Sequence, residues 1–119
     1  MAAPNILNTN TIIGKTAVQT VSTLATAIVT NGAGTNKVFK VNSLIVSNVD
    51  GTNASDVTVD VFRGGVSYKL ASTITVPADA TLVVISKETG IYLEEGDSIR
   101  LFASANNDLQ AVCSYEEIS

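Results

Sequence analysis

The sequence predicts an all-β fold, an antiparallel sandwich or barrel of eight or nine short strands without a helix. Three observations carry this reading. The first is Asp56–Val76 (DVTVDVFRGGVSYKLASTITV), where Val57, Val59 and Val61 alternate with Thr58, Asp60 and Phe62. The alternation resumes beyond a Gly-Gly pair as Val66, Tyr68, Leu70, Ile74 and Val76. Successive side chains of a strand point to opposite faces, so period two marks a half-buried strand. The second is that clusters of Gly, Asn, Asp and Pro cut the rest of the chain into pieces of strand length. The third is composition. Of 119 residues 45% are hydrophobic, but only 5% are aromatic and Trp is absent. Val, Ile, Leu and Ala must fill the interior, and β-branched side chains favour the pleated surface of a sheet.

Taken in order, the chain divides into an N-terminal arm, residues 1–10, and a single sandwich domain, residues 11–119. The arm is polar, carries Pro4 and has one apolar pair, Ile6-Leu7. Thr11–Thr30 tolerates a helix locally. Its many Thr, and the lack of Glu, Lys or Arg after Lys15, instead suit two strands, Ile12–Val21 and Ala25–Thr30. Asn31–Asn36 (NGAGTN) is a turn whose Asn-Gly can take left-handed conformations. Lys37–Val49 is a strand with Phe39, Val41 and Ile45 on one side and Leu44 and Val46 on the other. Its LIV segment is therefore either buried on both faces or crossed by a bulge.

Asp50–Ser55 is a loop, and the central hairpin follows. Gly64-Gly65 suits a type I′ turn, which needs positive φ at both central residues. One apolar face on that hairpin requires a second layer to cover it. Pro77-Ala78-Asp79 ends the hairpin, and Thr81–Lys87 reads as a strand buried on both faces at Leu82–Ile85. Ile91–Leu93, Ser98–Ser104 and Leu109–Glu117 complete the set, separated by charged or Asn-rich turns.

Composition also limits function. Charged residues make up 15% and the net charge is −4. Thr, Ser and Asn replace the missing charges, which suits a subunit packed in an assembly or an extracellular β-domain. The Lys and Arg residues are scattered singly, whereas nucleic-acid binding needs a concentrated basic patch. The segment MAAPNILN has neither the basic nor the apolar region of a signal peptide. The longest apolar run, Leu82–Ile85, is far short of the ~20 residues a membrane helix needs. A soluble product of the cytoplasm, with no nucleic-acid or membrane partner, is the expectation.

Chemistry-bearing residues are few. Histidine is absent, which removes the commonest general base and metal ligand. One cysteine, Cys113, cannot build a zinc site, and its parity with Leu109, Ala111 and Tyr115 makes it a buried structural thiol. Glu94, Glu95 and Asp97 could be paired carboxylates of a glycosidase, but they flank Gly96 on a turn where carboxylates are normally solvated. Asp50, Asn53 and Asp56 have the oxygen chemistry for calcium without the EF-hand spacing, and such residues ordinarily cap turns. Asn53-Ala54-Ser55 matches the glycosylation sequon by chance. Gly64-Gly65 precedes no helix, so it is a hairpin rather than a phosphate loop. Tyr68, Tyr92 and Tyr115 could form a sugar platform, although Tyr68 and Tyr115 lie on apolar parities that point to the core or its edge. The tail Tyr115–Ser119 is expected to be a solvated acidic end. No catalytic, cofactor or metal site is expected.

The segments SLIVSNVDGTNASDVTVDVFRGGVSYKLASTITVPADATLVV and GIYLEEGDSIRLFASANNDLQAVCSYEEI resemble small β-sandwich virion proteins of tailed bacteriophages, above all those of marine, cyanobacteria-infecting phages. The resemblance spans Ser43–Ile118, and Leu93–Leu101 (LEEGDSIRL) is its most telling part. A strand, an x-Gly-Asp-x turn and a returning strand recur in jelly-roll-like capsid, fibre and collar modules. The resemblance implies a jelly-roll-like sandwich and a non-enzymatic structural role. The implied role is that of a capsid decoration (cement) protein, with a tail, neck or fibre module, or a receptor- or glycan-binding tip, as the alternative. It also implies the major capsid protein or other virion proteins as partners, a homo-oligomer taken to be a trimer, and location in the virion after synthesis in the host cytoplasm. Ile6, Leu7, Ile12 and Ile13 are the expected interface residues, the arm docking on a neighbour by strand addition.

Overall fold

The computed structural model describes residues 4–119, so the first three residues of the arm lie outside it. Nine strands form: β1 (Ile12–Thr20), β2 (Thr26–Thr30), β3 (Val38–Asn48), β4 (Ser55–Arg63), β5 (Val66–Val76), β6 (Thr81–Ile85), β7 (Ile91–Leu93), β8 (Ser98–Ala103) and β9 (Leu109–Ile118). A 3-10 turn at Lys87–Thr89 is the one helical element among the described residues. One sheet runs β1-β9-β3-β6, with β7 pairing a different stretch of β3, and the other runs β2-β8-β4-β5. Every pairing is antiparallel. The chain crosses repeatedly from sheet to sheet, as in a jelly roll.

The core lies between the layers. Val41, Leu44 and Val46 of β3 and Leu109, Ala111 and Cys113 of β9 face Val57 and Val59 of β4 and Ile99 and Leu101 of β8. The expected glycine turn forms, with φ of 60° at Gly64 and 77° at Gly65. In β3 the parity changes: Val41 and Leu44 are both buried because the β3–β9 register shifts between Val41 and Ser43. The bulge was one of the two expected explanations, and it moves Ile45 to the outer side.

Three expectations are corrected. Tyr68, Val66, Leu70 and Ile74 are exposed, Tyr68 by 57%. Their face is as expected, since Tyr68 lies opposite Val61 and Ile74 opposite Val57. Burial fails because the sheet across from β5 ends in two short strands, β6 and β7, which pair separate stretches of β3. Thr81–Lys87 is likewise not buried on both faces: Ile85 is buried, but Val83 lies beside Ile45 on the outer face and is 58% exposed. The acidic tail is not a solvated end. It continues β9, whose Ile118 pairs with both Ile12 and Val38, and Glu117 is buried.

Candidate functional site

The uncovered edge between β5 and β7 forms a groove of about 380 Å³ lined by Val61, Arg63, Tyr68, Ile91 and Tyr92. Both tyrosines are exposed. Gly90, which leads into β7, has no room for a side chain, since a Cβ there would lie 2.9 Å from the Val41 carbonyl oxygen. This close approach fixes β7, and hence Ile91 and Tyr92, against β3. The polar wall of the groove is neutralised from within. Arg63 donates from Nε to Asp97 Oδ1 at 2.8 Å and from Nη2 to Oδ2, and Nη2 lies 2.9 Å from Glu94 Oε2. Asp97 also accepts the Glu94 amide at 2.8 Å. Burial pushes the Asp97 carboxyl upward, but the Arg63 donors and the Glu94 amide outweigh it and hold it below the usual carboxylate range.

The four expected interface residues are all exposed, Leu7 by 88% and Ile6 by 51%. The arm turns on itself through the Asn8 amide to the Asn5 carbonyl, and Asn5 Oδ1 accepts the Leu7 amide. Its root is fixed where Asn10 and Thr11 donate to the Ser119 carbonyl. Ile12 and Ile13 open β1, the edge of its sheet. Strand β1 pairs with β9 over nine residue pairs without a register shift, so it is long and regular. Its one charge, Lys15, is held by Glu117 at 2.6 Å, which Lys37 also reaches at 3.0 Å. Natural edges are normally blunted by charge, proline or bulges. This one has none of these free.

The structure adds a feature that was not expected. Val18 lies beside Val112, Val112 beside Ile45, and Ile45 beside Val83, an apolar row crossing β1, β9, β3 and β6 on the outer face. Val18 is 74% exposed. Its sequence signal is slight: between Gln110 and Glu116, Val112 is the one apolar residue on its parity, beside Gln110, Ser114 and Glu116.

Of the residues considered for chemistry, Tyr68 and Tyr92 share the groove, and Glu94 and Asp97 meet at Arg63. Glu94 is exposed, Glu95 accepts the Asn36 amide at 3.2 Å through Oε2, and Asp97 is buried on Arg63 rather than solvated as expected. Asp50 accepts the amides of Thr52 and Asn53, the turn-capping role, while Asp56 points elsewhere and accepts the Thr75 hydroxyl. The structure therefore does not bring Asp50, Asn53 and Asp56 to one point. Tyr115 stacks on Phe39 with ring centroids 5.4 Å apart, at the core edge. Cys113 is fully buried, and burial pushes its thiol up to about 11. Among the described residues no helix is long and apolar enough to cross a membrane.

No protein-family model matches the chain, and no curated protein matches it. A solved structure described with Bacillus endospore appendages, which form a family of disulfide-linked pili, is similar to it. The likeness has a TM-score of 0.53 at 17% identity and covers 92% of this chain and 88% of that one. At that identity the likeness establishes the shared sandwich fold.

Proposed function

We propose that this chain is a non-enzymatic structural subunit of a protein assembly, and that the assembly is a phage virion. In this reading it decorates the head and bridges neighbouring capsid subunits. The observation that carries it is the outer row Val18–Val112–Ile45–Val83, an apolar band across four strands with no covering element among the described residues. Contiguous exposed apolar surface marks an interaction face. Each copy seated on such a face favours the assembled shell over free subunits by mass action. The exposed arm and the regular edge of β1 offer further contacts to a second copy, in keeping with a homo-oligomer. The fold likeness to a pilus subunit supports a second reading, a filament or appendage subunit, which the same edges would serve.

Cryo-electron microscopy of purified particles, with immunogold labelling, tests the proposal. Density or label in many copies over the head is the expected result. Label confined to tail, neck or fibres replaces the decoration role with the alternative virion role. Absence from particles, with filaments forming from the purified protein, replaces both with the appendage reading.

A further inference from the structure

Two unsatisfied apolar features lie at the same end of the molecule. Ile12, at the root of the arm, pairs with Ile118, Ile118 pairs with Val38, and two residues beyond Val38 in β3 Lys40 pairs with Tyr92. The arm root and the Tyr92 side of the groove are thus close to level along the strands. They are three strand spacings apart, about 14 Å at ~4.8 Å each. The groove, however, opens on the edge of the sandwich opposite to β1.

Strand polarity extends the relation. β1 is antiparallel to β9, and β9 to β3, so β1 and β3 both lead away from the arm end. β8 starts at Ser98 opposite Phe62, β4 runs against it and β5 runs against β4, so β5 also leads away from that end, beginning with Val66 and Tyr68. When two copies lie side by side in the same orientation, the β1 edge of one meets the β6–β7 edge of the same sheet in the next, with that copy's β5 alongside in the other sheet. The arm of the first copy then emerges beside the start of β5 in the second, at the mouth of the groove.

We infer that the groove lined by Val61, Tyr68, Ile91 and Tyr92 receives Ile6 and Leu7 from the arm of a second copy. The inference rests on the assembly reading above and specifies its contact. Polarity matches as well as position. The arm, residues 1–10, holds no charged side chain, and the one cation of the groove is already paired with Asp97 and Glu94, so docking leaves no charge uncompensated. The volume is of the order that accommodates small organic groups, about 300–1,000 Å³, enough for two aliphatic side chains. The contact is head-to-tail: each copy offers an arm on one edge and a groove on the other, and such contacts build rings or open chains.

The test uses the full chain in sedimentation velocity over a range of concentrations. The wild type is expected to associate. An arm variant, Ile6→Asp with Leu7→Asp, and a groove variant, Tyr68→Asp, are each expected to weaken association by roughly tenfold to a hundredfold, the loss expected for one or two buried apolar side chains. All three residues are exposed, so the circular dichroism and thermal midpoint should stay at wild-type values. Tyr92→Asp, at another exposed lining residue, serves as a second groove variant if Tyr68→Asp disturbs the sheet. A mixture of arm and groove variants has one good arm and one good groove, and is expected to form a heterodimer that grows no further. A wild type that stays monomeric overturns the inference, as do variants that associate normally or a mixture that forms no heterodimer. Particle binding separates this failure from that of the functional reading: an arm variant that still decorates particles removes the arm–groove contact and leaves the structural role intact.

Discussion

Arg63, the last residue of β4, reaches Asp97 at the entry to β8 with two donors, Nε to Oδ1 at 2.8 Å and Nη2 to Oδ2. The pair ties a hairpin end to the Glu94–Asp97 turn and forms one wall of the groove. Replacing Asp97 with Asn removes the charge from a carboxylate that serves Arg63 and the Glu94 amide together. A loss of about 1.5–3 kcal/mol is expected, the usual scale for hydrogen bonds to charged groups, measured by urea denaturation at pH 7. An unchanged midpoint would show that solvent already compensates the half-exposed Arg63.

The pH dependence follows from the same kind of contact at three sites. Burial raises Asp97 and Asp60, but the donors of Arg63 and Arg100 outweigh it, and Lys15 and Lys37 lower Glu117. All three carboxyls thus sit below their unfolded values, which lie near ~4. Their stabilisation is fully present above those values and is lost as the pH falls through the lower folded ones. The denaturation midpoint should be nearly flat from about pH 5.5 to 8 and decline progressively below about pH 4.5. In Asp97→Asn the decline should be shallower, because one of the depressed groups is gone.

Cys113 is enclosed by both sheets, its strand neighbours being Ala17 and Leu44, and its thiol is pushed up to about 11. In the native protein at pH 8 it should resist a thiol-specific reagent for hours and react at once in denaturant. Copies of this chain are therefore expected to associate without the disulfide links described for the pilus family. Reducing agent should leave any oligomer unchanged. Fast labelling of the native protein, or oligomers dispersed by reductant, would contradict this.

Gly90 offers a way to move the groove without touching its lining. Gly90→Ala places a methyl against the Val41 carbonyl, so β7 must shift from β3. A cost of about 1–3 kcal/mol is expected from such overpacking. Tyr92 shifts with β7, so self-association should fall further than the loss of stability alone explains. Thermal unfolding and sedimentation on the same sample check both effects.

Most of the fold was legible because period two and turn chemistry are local signals. Strand positions agree with the structure to within a residue or two, from Ile12 to Ile118, and the Gly64-Gly65 hairpin formed as its φ requirement dictates. Burial was less legible, because it depends on what lies opposite. The alternation of Tyr68 and Ile74 gives their face correctly, yet it cannot tell that only β6 and β7 stand across from them. The same gap hid the Val18–Val83 row, whose members are far apart in sequence and meet only through register. Asp97 was misjudged because its partner, Arg63, lies 34 positions away. Ile6 and Leu7 form an apolar pair in an otherwise mostly polar arm, and both are exposed in the structure.

Strand β9 fills the middle of its sheet, with β1 on one side and β3 on the other. It is also the last of these nine strands to be synthesised. Until it inserts, β1 has no neighbour and shows two open edges instead of one, while β3 lacks its longest partner. Sheet closure must wait for pairs such as Ile12 with Ile118, a long sequence separation of the kind that places β-rich domains in the millisecond-to-second range. Insertion of β9 thus sets the moment at which a copy acquires a single, properly oriented edge to offer another, and a copy without it has no defined register in which to join.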